Sequence, residues 1–138
     1  MSIIGKLSRN QSATEDPGTR QTPRGRVPRD GIETVTSRDF EKFVLNAELP
    51  VAVEFMAYGC VHCRAMEPVM QQVAKMLGSD ERLCRVNVGV DQELASTYSI
   101  EGTPTFVMFA RGREVGRADG PEPTVASVMA AVTQPFKS

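Results

Sequence analysis

Two cysteines separated by two residues, Cys60-Val61-His62-Cys63, are the part of this sequence best suited to chemistry. A C-x-x-C pair can close a disulfide only if the two Cβ atoms come within about 4 Å of each other. The first turn of a helix permits this, because it brings residues three apart onto one face. First-turn amides and the helix dipole also favour negative charge there, so the leading thiol ionises more readily. Gly59 and a β-rich run precede the pair, and a long helical pattern follows it. That is the strand–helix setting in which such a pair reads as a redox dithiol. The only histidine of the chain, His62, lies between the two cysteines. An imidazolium there would stabilise a Cys60 thiolate and make the disulfide more oxidising. The alternative is a solvent-facing helix residue without a role; its place inside the motif favours the functional reading.

The third cysteine, Cys84, lies mid-run in RLCRVNV. Free cysteine is among the most buried residue types, so Cys84 is expected to pack in the core. Cys60, His62, Cys63 and Cys84 make four metal ligands on paper. Zinc wants them tetrahedral, and the adjacent His62 and Cys63 side chains diverge on a helix, so no metal is expected. Nor is a cofactor, since a dithiol carries its own electrons. An odd count of three cysteines also argues against a disulfide-stapled secreted scaffold.

The elements that must position the pair follow from periodicity. Residues 32–35 suit a short strand. Thr36 with Asp39 opens a helix in capping-box fashion, and Phe40, Phe43, Val44 and Ala47 recur at helical spacing. Residues 50–56 (PVAVEFM) are almost continuously apolar, as in a strand covered on both faces. Residues 60–77 read as a helix with Met66, Val69, Met70, Val73, Met76 and Leu77 inward, kinked by Pro68 and ended by Gly78. Residues 82–88 form a strand and 92–98 a short helix. Residues 105–110 and 113–118 are strands joined at Arg111 and Gly112, and Pro123 at an N1 position opens a last helix carrying Val125, Val128, Met129 and Val132. The order β-α-β-α-β-α-β-β-α implies parallel strands first and an antiparallel pair at the end.

Composition sets the bounds. A chain of 138 residues supports one core but not two ordinary domains. Residues 1–30 carry six basic and three acidic side chains, the remainder ten and fourteen, so neither part suggests a nucleic-acid or membrane surface. Residues 8–30 hold one large apolar residue, Val27, and are expected to form a disordered tail ahead of a domain over 31–138. No apolar run nears the ~20 residues of a membrane span. Met1–Leu7 carries one lysine and an apolar patch too short for a secretory h-region, so a cytoplasmic protein is expected; an organelle transit peptide is the weaker option, because the tail has Arg, Ser and Thr but also Glu15, Asp16 and Asp30.

With these residues in place, the chain resembles the thioredoxin family over residues 32–138. The segments carrying the resemblance are VAVEFMAYGCVHCRAMEP (51–68), SIEGTPTFVMFARGREV (99–115) and Gly120. The resemblance implies an α/β thioredoxin fold, three layers around a mixed sheet. It implies that Cys60 attacks, that Cys63 is the buried resolving thiol, and that Glu54 is the buried acid exchanging a proton with Cys63. Pro104 would be a cis-proline facing the disulfide, with Gly59, Gly102, Thr103 and Gly120 contacting substrate. Histidine before the second cysteine resembles the disulfide isomerases and periplasmic oxidases.

The chain also departs from the family pattern. Met56 and Gly59 replace two tryptophans, and Asp119 stands in a usually apolar groove. Arg85 or Asn87 falls near the place of a buried lysine, which would leave Glu54 without its usual charge partner. The expected activity is reduction or exchange of protein disulfides by a monomer, supplied by a thioredoxin-reductase-type donor. Oxidase or isomerase action, and a redox-silent binding module, are the alternatives.

Overall fold

A computed structural model of the chain describes residues 32–136; the expected tail, residues 1–30, lies outside the described residues. Five strands form one sheet: β1 Ile32–Thr34, β2 Val51–Met56, β3 Arg82–Asn87, β4 Thr105–Ala110 and β5 Arg113–Asp119, in the spatial order β1-β3-β2-β4-β5. β3 runs parallel to both β1 and β2, while β4 is antiparallel to β2 and β5. Element order and strand directions agree with the sequence expectation.

Alternation along the strands divides the core in two. Val53, Phe55, Cys84, Val86, Val107 and Phe109 point to one face, where Phe40, Phe43, Val44 and Leu94 cover them. Ala52, Leu83, Phe106 and Met108 point to the other, under the helices α1 (Val61–Leu77) and α3 (Val125–Thr133). Every residue of β2 is buried, as its unbroken apolar run requires of a central strand. Glu54 belongs to that strand and points to the α1 side, with Ala52 and Met56.

Four details differ from the expectation. The helix after Asp39 is a π-helical turn, Glu41–Leu45, in which the Asn46 amide reaches back to the Glu41 carbonyl at 2.8 Å; the wider turn still delivers Phe40, Phe43 and Val44 to the core. Met76 was expected inward but is 59% exposed, because Met66, Met70, Val73 and Leu77 already form the buried stripe and Met76 lies about 100° round from Leu77. α1 starts one residue later than expected, at Val61. α3 is capped by Thr124, whose hydroxyl accepts the Ser127 amide at 3.1 Å, so Pro123 precedes the cap rather than occupying N1.

α1 itself runs unbroken through Pro68 and ends at Gly78, whose φ of 57° and ψ of −125° suit glycine alone. The short α2 (Gln92–Thr97) leads into the loop that carries Gly102, Thr103 and Pro104 to the sheet. Arg111 and Gly112 both have positive φ, which is the twist a two-residue hairpin between β4 and β5 needs.

Candidate active site

β2 ends at Met56, and three residues later the chain enters α1 at the motif. Cys60 is the N-cap of α1, in an extended conformation, and its Sγ accepts the backbone N–H of Cys63 at 3.1 Å. A sulfur therefore does the work usually given to a serine or aspartate oxygen: it satisfies one of the helix's orphan amides. That places Cys60 where the helix end favours a negative charge. From the opposite side the Cys60 thiol donates to the Thr103 carbonyl at 3.4 Å, across the cis Thr103–Pro104 peptide.

The two thiols are driven apart in acidity. Desolvation, the largest influence, pushes Cys60 up. The Cys63 thiol, the Thr103 side chain and the amides of Cys63 and His62 outweigh it together, and Cys60 ends below an ordinary thiol. Cys63 is buried, and its burial, followed by the hydrogen bond of its thiol to Cys60, pushes it up to about 11. Cys60 ionises more readily than an ordinary thiol while Cys63 holds its proton, which is the division a nucleophile and a resolving thiol require. The contribution of His62 to Cys60 comes through its backbone amide.

Glu54 is 1% exposed, and burial pushes its carboxyl up to about 7; Arg85 pulls it down and Glu67 pushes it up. The expected absence of a charge partner is corrected here. Glu54 and Arg85 are register partners on β2 and β3, and Arg85 Nε lies 3.8 Å from Glu54 Oε1. The other candidate, Asn87, serves a turn, its side-chain oxygen accepting the Gly89 amide at 2.9 Å. Arg85 also lines a cavity of about 290 Å³ with Met56, Ala57, Tyr58, Cys63, Arg64 and Glu67. Met56 thus borders a space beside the Cys63 thiol, at a position where a tryptophan would be larger.

On the other flank of Cys60, two clefts meet at Thr103, Pro104 and Gly120. One, of about 620 Å³, is also bordered by Glu101, Gly102, Arg117 and Asp119; the other, of about 160 Å³, by His62, Met66, Pro121 and Pro123. The Gly120 amide donates to the Pro104 carbonyl at 2.8 Å and the Thr105 hydroxyl to the Gly102 carbonyl at 2.7 Å, fixing the two rims. The structure therefore gathers Gly102, Thr103, Pro104 and Gly120 into one groove, with His62 at its edge. Gly59 is exposed beside Cys60 and borders neither cleft. Sequence reasoning missed Glu67, Met66, Pro121 and Pro123. Glu67 had a signal, since it stands four residues after Cys63 and so on the same helix face.

Cys84 packs on the sheet face opposite α1 and is fully buried, its thiol pushed up to about 12 by burial. The sheet separates it from the motif. Among the described residues no group of three His, Cys, Asp or Glu side chains is placed to hold a metal ion.

Comparison with known proteins gives a consistent picture. A family model described as Thioredoxin matches residues 31–133. The thioredoxin of Pyropia yezoensis is 32% identical over 100 residues, covering 71% of this chain and 94% of that protein. The thioredoxin of Rickettsia bellii is 35% identical over 80 residues, covering 58% and 76%. The probable protein disulfide-isomerase A4 of Caenorhabditis elegans is 33% identical over 98 residues, covering 69% of this chain but 16% of that longer protein.

Proposed function

The chain belongs to the thioredoxin family and is a thiol–disulfide oxidoreductase of that type, and from that premise we propose that its Cys60/Cys63 dithiol reduces protein disulfides. The observation that carries this reading is the Cys60 sulfur at the N-cap of α1, accepting the Cys63 amide at 3.1 Å while Cys63 stays protonated beneath it.

The Cys60 thiolate attacks one sulfur of a substrate disulfide. The substrate S–S bond breaks, a Cys60–substrate bond forms, and the other substrate sulfur leaves as a thiolate and takes a proton. Cys63 then loses its proton and attacks Cys60 Sγ, releasing the second substrate thiol and closing Cys60–Cys63. Two electrons have passed to the substrate, and a dithiol donor of the thioredoxin-reductase type must return them.

Glu54 accepts the Cys63 proton in this scheme. Its affinity for a proton near neutrality suits it to take one and give it back. The substrate backbone lies along Gly102, Thr103, Pro104 and Gly120, as an added strand beside the sheet end would. Net reduction needs a compartment that keeps the donor reduced, which we take to be the cytoplasm. Exchange or isomerisation is the second reading, favoured by His62 at the groove edge and by the disulfide-isomerase relative.

Insulin reduction by dithiothreitol, followed as turbidity, tests the activity: the protein accelerates it and a Cys60→Ser variant does not. Equal rates for the two would refute the reading. The reduction potential of the pair separates the two directions, a value near the −270 mV of reductases supporting reduction and one near −180 mV supporting exchange.

A further inference from the structure

The Arg85 guanidinium stands between two carboxylates and is shared unequally. Its Nη2 donates to both oxygens of Glu67, at 2.8 and 2.9 Å, and the Gln71 amide holds the same Glu67 carboxylate from behind at 2.8 Å. Toward Glu54 it offers only Nε, at 3.8 Å, too long for a hydrogen bond. Among the described residues, Arg85 Nε and Glu54 Oε1 are both buried without a hydrogen-bond partner, although they face each other. Leaving two such groups unmade is costly, and closing about 1 Å would satisfy both. Something holds them apart, and the groups that could do so are few. The charged groups facing Glu54 are Arg85 from β3 and Glu67 from α1; β4 sets Phe106 opposite it, and α1 adds the Cys63 thiol and, at the far wall of the cavity, the exposed Arg64.

We propose that Glu67 is a positioning residue for the resolving step: braced by Gln71, it draws the Arg85 guanidinium toward α1 and denies Glu54 the hydrogen bond it would otherwise receive. The inference rests on the reading of Glu54 as the proton acceptor for Cys63. An Arg85-bonded Glu54 would be a carboxylate that no longer takes protons near neutrality. With Arg85 held off, its charge is felt but its hydrogen bond is withheld, and the carboxyl keeps a proton affinity useful to a thiol. Glu67 is well placed to do this because it sits partly in solvent and reaches Arg85 through the cavity that Cys63 also lines.

The test is Glu67→Gln in the full chain, in the reduced state. The side chain is 42% exposed, so the variant is expected to fold. Removing this charge and releasing Nη2 should move the Glu54 titration, followed by carboxyl carbon NMR, about one pH unit toward acid. The Arg85 Nε proton should exchange with solvent at least several-fold more slowly as it bonds Glu54. The pH midpoint of mixed-disulfide resolution, measured by stopped flow, should move with the Glu54 titration. An unchanged or raised Glu54 titration overturns the inference. A Glu54 titration that moves while the resolution profile stays still overturns the part of Glu67 in resolution and traces the failure to Glu54, which is then not the proton partner of Cys63.

Discussion

Replacing Glu54 by glutamine should stabilise the protein, and only on the alkaline side. Burial raises the carboxyl from an ordinary 4.5 to about 7 in the folded state. Folded protein therefore binds this proton more tightly than unfolded protein does between those two values. Stability falls as pH rises through that window, and the loss is complete above the folded pKa. A shift of about 2.5 units corresponds to about 3 kcal/mol at pH 8, because each unit is worth about 1.4 kcal/mol. At pH 5 most of that cost is not yet incurred, and the same linkage leaves under about 1 kcal/mol.

Glutamine mimics the neutral acid at all pH values and escapes the cost. Its packing change, and the different environment it offers Arg85, are independent of pH over this range. The quantity to measure is thus the difference between variant and wild type in urea unfolding at pH 5 and at pH 8. The second carboxyl that burial raises to about 7, Glu81, is present in both proteins and cancels. The variant's advantage should grow by about 2 kcal/mol between the two pH values. An advantage that is the same at pH 5 and pH 8 would falsify the claim that Glu54 is a strained carboxylate in the folded protein. The same variant should slow resolution of the mixed disulfide, so stability and function pull in opposite directions at one residue.

Alkylation should separate the three thiols: iodoacetamide at pH 7 labels Cys60 first in the native reduced protein, and Cys63 and Cys84 only slowly, as read by peptide mass spectrometry. Equal labelling of Cys84 without denaturant would contradict its place in the core. Cys84→Ser should cost about 1–3 kcal/mol by leaving a hydroxyl among apolar neighbours while leaving insulin reduction unaltered; a loss of activity at unchanged fold would tie Cys84 to the chemistry. Gly116→Ala should destabilise by about 1–3 kcal/mol, since its Cβ would come within 2.6 Å of Pro135 Cγ, and thermal unfolding checks it.

How far the site could be read in advance depended on distance along the chain. The dithiol, its helix and the strand before it are contiguous, and their roles follow from local rules: period-2 burial, a glycine turn, a helix start. Pro104 and Gly120 were reachable only through resemblance, because neither motif says that a loop 43 residues away will set the Thr103 carbonyl against Cys60. Helix edges were read less well for a local reason. A capping sulfur moved the α1 start by one residue, and a widened π turn replaced an expected α-helix, both choices of backbone hydrogen bonding that side-chain periodicity does not report.

What the sequence by itself determined is the chemistry on offer and the sheet that carries it: a helix-initial dithiol, a strand covered on both faces that holds an acid six residues before it, and an alternation of elements that admits few topologies. What only the tertiary structure decided is how the charges around that acid are shared. Arg85 looked like a vacancy where a lysine should be. In the fold it lies opposite Glu54 because β2 and β3 pair in one register, and it is drawn aside by Glu67 because α1 crosses that register at one place. Coulomb energy and hydrogen bonding change over ångströms, and separations of that size are set by packing between elements, not by spacing within them.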